Sequence, residues 1–336
     1  MKANLIKINH QVSKSITGYI LDYYKNDRIV PYLKKTTLDF IKNCRYSTDD
    51  IRPLLTKLGY EIAGGERESK FILPAMAAVH LLLLGFIPID DIIDGLERQR
   101  NFSLQNLPEK LSSAYGLSTK LKEDSRIIFQ KNYSHILLYE KIAHIQSSCL
   151  ERLDASHSLE VNYHVKKPFA DYSLKDYISL IDEATSILIA ESFVIGGLIA
   201  GINEEGEEKM RSFGLELGRL CQIRDDFLDY IDAKITGKLP FADLFSKRKR
   251  FPILTIFWFG REDQKRKIKK ILGKNELSKN DIQAVIDLIL ENKIRKKTEK
   301  VIKNIRNEAL KKMKLLPQRR PSIVILEDLV SLFALE

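Results

Sequence analysis

Residues 87–94 read Ile-Pro-Ile-Asp-Asp-Ile-Ile-Asp, so three carboxylates, Asp90, Asp91 and Asp94, lie inside an otherwise apolar run. If the run is helical, Asp90 and Asp94 are one turn apart and Asp91 lies on the same broad face. Like charges this close repel one another and are costly to desolvate among isoleucines. A bound cation relieves both effects, so the stretch predicts a metal site on a buried helix.

A second copy of the motif occurs at residues 222–229, Gln-Ile-Arg-Asp-Asp-Phe-Leu-Asp, with the same spacing at Asp225, Asp226 and Asp229. One such pentad also fits a solvated helix face, where acidic residues one turn apart are common. Two pentads, both embedded in apolar sequence, instead favour a metal site to which both contribute.

The composition indicates a globular, helical chain. Its 336 residues are 44% hydrophobic, which is enough for a sizeable core. Apolar residues recur at helical spacing through most of the chain, whereas alternating strand patterns and hairpin dipeptides are scarce. We therefore predict an all-α, single-domain helical bundle.

Cysteine usage and the apolar segments bear on the compartment. The chain has three cysteines, Cys44, Cys149 and Cys221. They are far apart and not in a metal-ligand spacing, which favours a reducing, cytoplasmic setting. The N-terminus lacks the pattern of a secretory signal. Residues 71–89 are about long enough and apolar enough to span a membrane, but they contain Pro74 and Pro88 and lead directly into the first pentad. We predict a buried core helix there.

The net charge of +10 is concentrated late in the chain, in residues 293–320. Nucleic acid or anionic lipid could be partners of such a segment. The alternative is an amphipathic surface helix with Ile294, Val301, Ile302 and Ile305 facing inward. We predict the surface helix, with no nucleic-acid partner and at most peripheral membrane contact.

The order of the two pentads, together with the residues that follow the second one, resembles the trans-isoprenyl diphosphate synthases, also called polyprenyl synthases. The resemblance covers roughly residues 60–330 and is carried after Gln222 by Gly237-Lys238, Asp243-Leu244, Lys247-Arg248 and Pro252. It implies a bundle of the isoprenoid synthase type with the pentads on facing helices, and a homodimer. Residues 1–60 would be N-terminal helices, 61–255 the catalytic core and 256–336 C-terminal helices.

The resemblance also implies an activity, that of a prenyltransferase that uses Mg²⁺ to ionise an allylic diphosphate and joins the cation to an acceptor. Several Mg²⁺ ions bridged by diphosphate would be held by the six pentad carboxylates, since Mg²⁺ prefers oxygen ligands. The resemblance assigns the diphosphate to Arg67, Arg100, Thr185, Gln222, Lys238, Lys247 and Arg248. It assigns the catalytic roles to Asp90, Asp94, Asp225 and Lys238.

Departures from the family pattern affect the positions associated with isopentenyl diphosphate. Where the family has Gly-Gly-Lys-Arg-x-Arg, this chain has Glu66 and Ser69 in place of the first Lys and the last Arg. Leu83 replaces a His, Gln99 an Arg, and Ala184 the Lys of a Lys-Thr pair. We therefore expect isopentenyl diphosphate to be a poor acceptor, which leaves a different acceptor open.

The resemblance places Gly85 and Phe86 at the floor of the isoprenoid pocket, where the bulky Phe86 implies a medium-chain product. Two alternatives remain: a class I terpene synthase, and a non-catalytic partner subunit of a heteromeric synthase. Terpene synthases usually carry Asn, Ser or Thr, and Glu in the second metal motif, unlike Asp225-Asp226-x-x-Asp229. Intact pentads weigh against a non-catalytic subunit, because carboxylates with no metal to hold would only destabilise the fold.

Overall fold

The computed structural model describes residues 2–25, 31–43, 50–93, 107–160, 166–231, 244, 248–274 and 276–334. Within these ranges every regular element is helical, which confirms the predicted all-α fold. The described α-helices are α1 (Lys2–Lys25), α2 (Pro31–Asn43), α3 (Arg52–Ala63), α4 (Leu73–Leu84), α5 (Ile87–Ile93), α6 (Leu107–Tyr133), α7 (Tyr139–Leu159), α8 (Leu174–Ile181), α9 (Ile187–Ile199), α10 (Glu204–Ile231), α11 (Phe251–Phe259), α12 (Glu262–Leu272), α13 (Lys279–Leu290), α14 (Asn292–Met313) and α15 (Ser322–Phe333). Two 3₁₀ turns, Lys70–Ile72 and Phe169–Asp171, and a π-helix, Asp182–Ser186, accompany them.

The chain divides into two compact units, each assembled from separate segments. The first unit contains residues 1–149, 188–212 and 313–328, and the second unit contains 150–187, 213–312 and 329–336. The single domain that the sequence suggested, with boundaries at residues 60 and 255, stays a prediction.

The centre of the first unit is α4, which is apolar on all sides. Residues 75–84 are all buried, and the helix packs against α1, α3 and α6. A helix that is apolar all round is buried in a core or in a membrane. The stretch Lys70–Asp90 is long and apolar enough to cross a membrane, yet 83% of the 18-residue apolar window within it is buried inside the fold. This burial matches the core helix that we predicted.

That core segment is not one continuous helix over residues 71–89. A 3₁₀ turn precedes α4. Helix α4 ends at Leu84, and a separate helix, α5, begins at Ile87. Between them the Phe86 N–H donates to the Leu83 carbonyl at 2.9 Å. This bond spans three residues instead of four, so it closes a tighter turn than that of a regular α-helix. Pro88 then occupies an early position of α5, where its missing N–H costs little. The break separates the core helix from the first pentad.

Two glycines in the first unit let helix backbones touch. A Cβ atom built on Gly59 of α3 would lie 2.0 Å from the Phe193 carbonyl oxygen. On α9, a Cβ atom at Gly196 would lie 2.0 Å from the Thr56 carbonyl oxygen. Only a hydrogen atom fits at either position, so α3 and α9 are in backbone contact.

A buried ion pair joins α4 to the start of α3. The Asp50 carboxylate is hydrogen-bonded to His80 Nδ1 at 2.9 Å. It also accepts from the Arg52 backbone N–H at 3.0 Å and from Arg52 Nη1 at 3.1 Å. Burial raises the pKa of Asp50, but the bonds to His80 and Arg52 outweigh it and hold this pKa below its usual value. The buried charge of the carboxylate is thus compensated by its hydrogen bonds with His80 and Arg52.

The second unit is built around α11, a short apolar helix whose residues 251–257 are buried. It packs against α12, α13 and the turn Phe169–Asp171. The Phe251 ring contacts the rings of Tyr177, Phe227 and Trp258, with centroids 5.2, 5.9 and 5.7 Å away. This aromatic cluster includes Phe227 of the second pentad and lies beside it.

The basic segment near the C-terminus forms α14. Ile294 and Ile302 are buried, while Val301 and Ile305 are half-buried. The helix is therefore amphipathic, with the four predicted residues on or beside its inner face.

Candidate functional site

The second pentad lies near the C-terminal end of α10, in the second unit. Asp225 and Asp229 are one helical turn apart, and their environments differ. The Asp225 side chain is 47% exposed and lies 3.5 Å from Arg224 Nη1. Asp229 is only 1% exposed. Asp225 is therefore the more accessible of the two carboxylates.

Asp226, between them, is 2% exposed and accepts three hydrogen bonds from residues that the structure describes. Its Oδ2 accepts from the Tyr177 hydroxyl at 2.9 Å and from the Phe251 backbone N–H at 2.9 Å. Its Oδ1 accepts from Gln222 Nε2 at 2.8 Å. Hydrogen bonds to a buried carboxylate are strong, so Asp226 ties α10 to α8 and to the first residue of α11.

The π-helix Asp182–Ser186 extends this network. Thr185 Oγ1 donates to Gln222 Oε1 at 2.6 Å, which directs the amide NH₂ of Gln222 towards Asp226. Arg219 holds the same turn by two bonds to the Asp182 carboxylate, at 2.8 and 2.7 Å. These bonds raise the pKa of Arg219. π-Turns inside helices are frequent at functional sites.

Basic residues ahead of α11 face Glu160, which directly follows α7. Arg248 Nε lies 4.0 Å and Arg250 Nη2 3.3 Å from Glu160 Oε1. Between them, Lys249 is 6% exposed, with its ammonium 4.6 Å from the centre of the Phe169 ring. Burial lowers the pKa of Lys249. Lys238 and Lys247, two predicted diphosphate ligands, lie outside the described residues.

The first pentad begins on α5, in the first unit. Asp90 is half-buried, and its backbone N–H donates to the Phe86 carbonyl at 3.2 Å. Asp94, Gln99 and Arg100 lie outside the described residues, as does the side chain of Asp91.

The predicted floor residues lie against α6. Phe86 is 5% exposed, and the Lys122 ammonium lies 3.8 Å from the centre of its ring. Ser118 Oγ donates to the Gly85 carbonyl at 2.5 Å. A Cβ atom at Gly85 would lie 2.6 Å from Lys122 Cγ, so this position is closely packed. Both residues are therefore enclosed by side chains of α6.

The loop between α3 and α4 carries the unusual glycine-rich motif. Arg67 is 58% exposed and lies 3.8 Å from Glu68, and Glu66 is exposed too. Ser69 Oγ accepts from the Phe71 N–H at 3.2 Å and so caps the 3₁₀ turn. Leu83 is 8% exposed. Acidic side chains thus flank the one arginine of the motif.

Among the described residues, no three His, Cys, Asp or Glu side chains lie close enough together to form a metal site. The chemistry of the donors nevertheless suits Mg²⁺, because carboxylate oxygens are the ligands that it prefers. The metal, catalytic, diphosphate-binding and pocket roles assigned from sequence stay predictions.

Sequence reasoning missed Tyr177, the Phe251 backbone N–H, Glu160 and Lys249. Tyr177 and Phe251 are distant from Asp226 in sequence, so no spacing rule could pair them with it. Arg248-Lys249-Arg250 continues the basic run that begins at Lys247, and this run was a visible signal.

An all-α fold with two Asp-Asp-x-x-Asp motifs, one of them anchored on a long helix, defines the class: an enzyme that transfers prenyl groups. A model of the family described as polyprenyl synthetase matches residues 40–289, more than half of the chain. The protein therefore belongs to the polyprenyl synthetase family.

Individual relatives agree with this assignment. The short chain isoprenyl diphosphate synthase of Methanocaldococcus jannaschii is 27% identical over 244 residues, which cover 71% of each chain. The geranylgeranyl diphosphate synthase of Sulfolobus acidocaldarius is 24% identical over 292 residues, 83% of each chain. The fold is similar to a polyprenyl synthase from Caulobacter crescentus, complexed with calcium and isoprenyl diphosphate, with a TM-score of 0.80 at 17% identity over 100% of this chain and 98% of that one. This likeness confirms the predicted isoprenoid synthase fold.

Proposed function

We propose that this protein is a magnesium-dependent trans-prenyltransferase that ionises an allylic diphosphate and joins the cation to an acceptor. The observation that carries the proposal is the family match over residues 40–289, which contains both pentads. The Caulobacter structure, which holds a divalent cation with isoprenyl diphosphate, supports it.

Magnesium would be held by the carboxylates of the first pentad and by Asp225 and Asp229 of the second. We assign Asp226 a positioning role instead, since its oxygens already accept three hydrogen bonds. When bound, magnesium stabilises the negative charge on the departing diphosphate. The neighbouring aromatic cluster excludes water from the inner side of α10.

Cationic side chains would bind the diphosphate oxygens: Arg67, Arg100, Lys238, Lys247 and Arg248. A diphosphate that reaches Arg248 competes with Glu160, which lies 4.0 Å away in this structure. Thr185 donates a hydrogen bond to Gln222, and we infer that these two residues act by orienting Asp226.

The same proposal covers the product, the assembly and the compartment. Phe86 is buried just ahead of Asp90, where it would block a growing chain. We expect products of about fifteen to twenty carbons, by analogy with the family. We further propose a cytoplasmic homodimer.

The activity is tested by incubating the purified protein with Mg²⁺, isopentenyl diphosphate and allylic diphosphates of increasing length, and separating the products. Product formation that depends on Mg²⁺ and is abolished by chelation is expected. Absence of turnover with every allylic diphosphate would contradict the proposal.

The acceptor preference follows from the loop after α3. Glu66 and Ser69 stand where the family has cations, and a carboxylate repels an anionic diphosphate. Because Glu66 is exposed, solvent screens part of the repulsion. We expect the natural protein to need a high concentration of isopentenyl diphosphate, and Glu66→Lys with Ser69→Arg to lower this KM roughly tenfold.

Leu83→His completes the family pattern, but it places a polar group at a buried position. The triple variant is therefore compared with the double one, with melting temperatures recorded for both. Glu208→Lys, an exposed charge change on α10, is the control. Saturation of the natural protein at micromolar isopentenyl diphosphate, with no gain in the variants, would make it an ordinary chain-elongating synthase.

A further inference from the structure

The second unit contains a cavity of about 530 Å³, lined by α13, α14, the end of α10 and Ala334, which follows α15. Sites for small organic ligands have volumes of roughly 300–1,000 Å³. The apolar part of the lining includes Phe227, Ile289, Ile302 and Ala334, all less than a tenth exposed. Apart from Phe227, which also belongs to the aromatic cluster beside the second pentad, none of these side chains has a role in the function proposed above.

One face of α14 supplies the polar part of the lining. Three of its ionisable side chains there are cationic and one is acidic: Arg295, Lys303, Arg306 and Glu299. Arg295 Nε donates to Glu299 Oε1 at 2.9 Å, so the positive excess lies towards Lys303 and Arg306. The helix as a whole carries nine Lys and Arg against two Glu. The electrostatic potential at this cavity therefore favours an anion.

A buried hydroxyl group belongs to the wall of the same cavity. Thr298 lines the cavity and is 5% exposed. Its Oγ1 has no hydrogen-bond partner among the described residues. A threonine inside a helix ordinarily bonds the carbonyl one turn earlier, and a buried polar atom without a partner is destabilising. A ligand oxygen in the cavity would satisfy it.

We propose that this cavity binds a small amphipathic anion, a single apolar chain with an acidic head group. The chain would pack on Phe227, Ile289 and Ile302, and the head would contact Lys303 and Arg306, with one oxygen bonded to Thr298. A fatty acid and a prenyl phosphate share this chemistry. Because Phe227 lies between Asp226 and Asp229, the ligand packs on the helix that carries the second pentad. The site does not depend on the catalytic assignment.

The test is calorimetric titration of the full-length protein in the presence of a chelator, which removes the divalent ions needed to hold a diphosphate at the pentads. Four probes separate the parts of the ligand: dodecanoate, farnesyl diphosphate, farnesol and inorganic diphosphate. At least one of the two chain-bearing anions should bind, and which one does so identifies the source of the ligand. Farnesol and inorganic diphosphate should bind at least about tenfold more weakly, because each lacks one half of the contact.

Variants locate the binding. Lys303→Glu and Thr298→Val should each weaken the affinity about threefold to tenfold. Lys300→Glu makes the same charge change on a part of α14 outside the cavity and should have no effect. Melting temperatures establish that each variant is folded, and valine preserves the shape of threonine.

Three results would overturn the proposal. In the first, neither chain-bearing anion binds. In the second, inorganic diphosphate binds as tightly as they do, which would indicate a simple basic patch. In the third, the Lys303→Glu and Thr298→Val proteins bind like the Lys300→Glu protein. Since no turnover is measured, none of these outcomes depends on the prenyl-transfer proposal.

Discussion

The two pentads have the same spacing but are held in different ways. The first begins on α5, a helix of 7 residues that starts just after the break at Gly85 and Phe86. The second lies on α10, a helix of 28 residues, and its middle carboxylate is fixed by hydrogen bonds from three other residues. The described support of the first motif is the packing of Phe86 and Gly85 against α6.

This difference predicts different sensitivities. Packing of a buried ring responds to changes in volume, since a cavity left behind costs stability. A hydrogen-bonded carboxylate responds to the loss of single donors, because each partner left unsatisfied costs desolvation free energy. Substitutions that remove a hydrogen-bonding group but keep the shape of the side chain should therefore disturb the second motif more than the first.

The largest effect should follow from replacing the outer carboxylates. Asp90→Asn and Asp225→Asn each remove a charged oxygen ligand and should lower turnover about a hundred- to ten-thousandfold. Both side chains are partly exposed, so the free energy of unfolding should change by less than about 0.5 kcal/mol. Asp39→Asn, at an exposed position of α2, is the control. Near-natural turnover in both variants would contradict the assignment of Asp90 and Asp225 as magnesium ligands.

The next effect concerns the positioning of the second motif alone. Tyr177→Phe removes one donor to Asp226 and should cost about 1 kcal/mol of stability, and Asp226→Asn about 1–3 kcal/mol. Both should also raise the Mg²⁺ concentration needed for half-maximal turnover, which a purely structural loss would leave unchanged. The matched control is Tyr115→Phe, a hydroxyl on a side chain that is 69% exposed. An unchanged Mg²⁺ dependence in both variants would reject the positioning role.

A third effect concerns the first motif alone. Phe86→Ala should lengthen the product, because the ring blocks the space ahead of Asp90. Its burial means that the change should also destabilise the fold by about 3–5 kcal/mol, so Phe86→Leu, which leaves a smaller cavity, is measured beside it. Phe71→Ala, at a ring that is 41% exposed, is the control. If both Phe86 variants give the natural product distribution, this residue is not the floor.

The smallest effect concerns α8, the helix that presents Tyr177. Asp176 and Ser173 form a capping box at its start, with the Asp176 carboxylate accepting from the Ser173 N–H at 2.8 Å. Burial raises the pKa of Asp176, but hydrogen bonds from Lys167 and Ser173 outweigh it and lower the pKa to about 2. A carboxyl with a depressed folded-state pKa stabilises the fold above its unfolded pKa of about 3.9. This stability is lost as the pH falls towards 2.

Asp176→Asn should therefore reduce the free energy of unfolding by about 0.5–1 kcal/mol at pH 7, and the deficit should shrink between about pH 4 and 2. Denaturant titrations at several pH values measure it, with the exposed Asp171→Asn as the control. A deficit that is the same at every pH would show that charge is not involved.

Local signals in the sequence predicted the class of fold and the helix of the second pentad. Asp225 and Asp229 lie one turn apart on α10 as their spacing requires. The break at Gly85 was not predicted, because residues 71–89 are apolar throughout and Pro88 is compatible with a helix start as well as with a kink. The partners of Asp226 were also missed, since contacts of Tyr177 and Phe251 with this residue depend on tertiary packing. The π-helix at Thr185 leaves no pattern that distinguishes it from an ordinary turn.

The contact between α3 and α9 has a genetic consequence. At Gly59 and Gly196 the nearest atom that any side chain would meet is a backbone carbonyl oxygen of the opposite helix, 2.0 Å from the Cβ position. A clash between two side chains can be repaired by shortening either one, but a clash with a carbonyl oxygen offers nothing to shorten. In a library randomised across the chain and sorted for folded protein, these two positions should retain glycine alone, and no single replacement elsewhere should rescue an alanine at either of them.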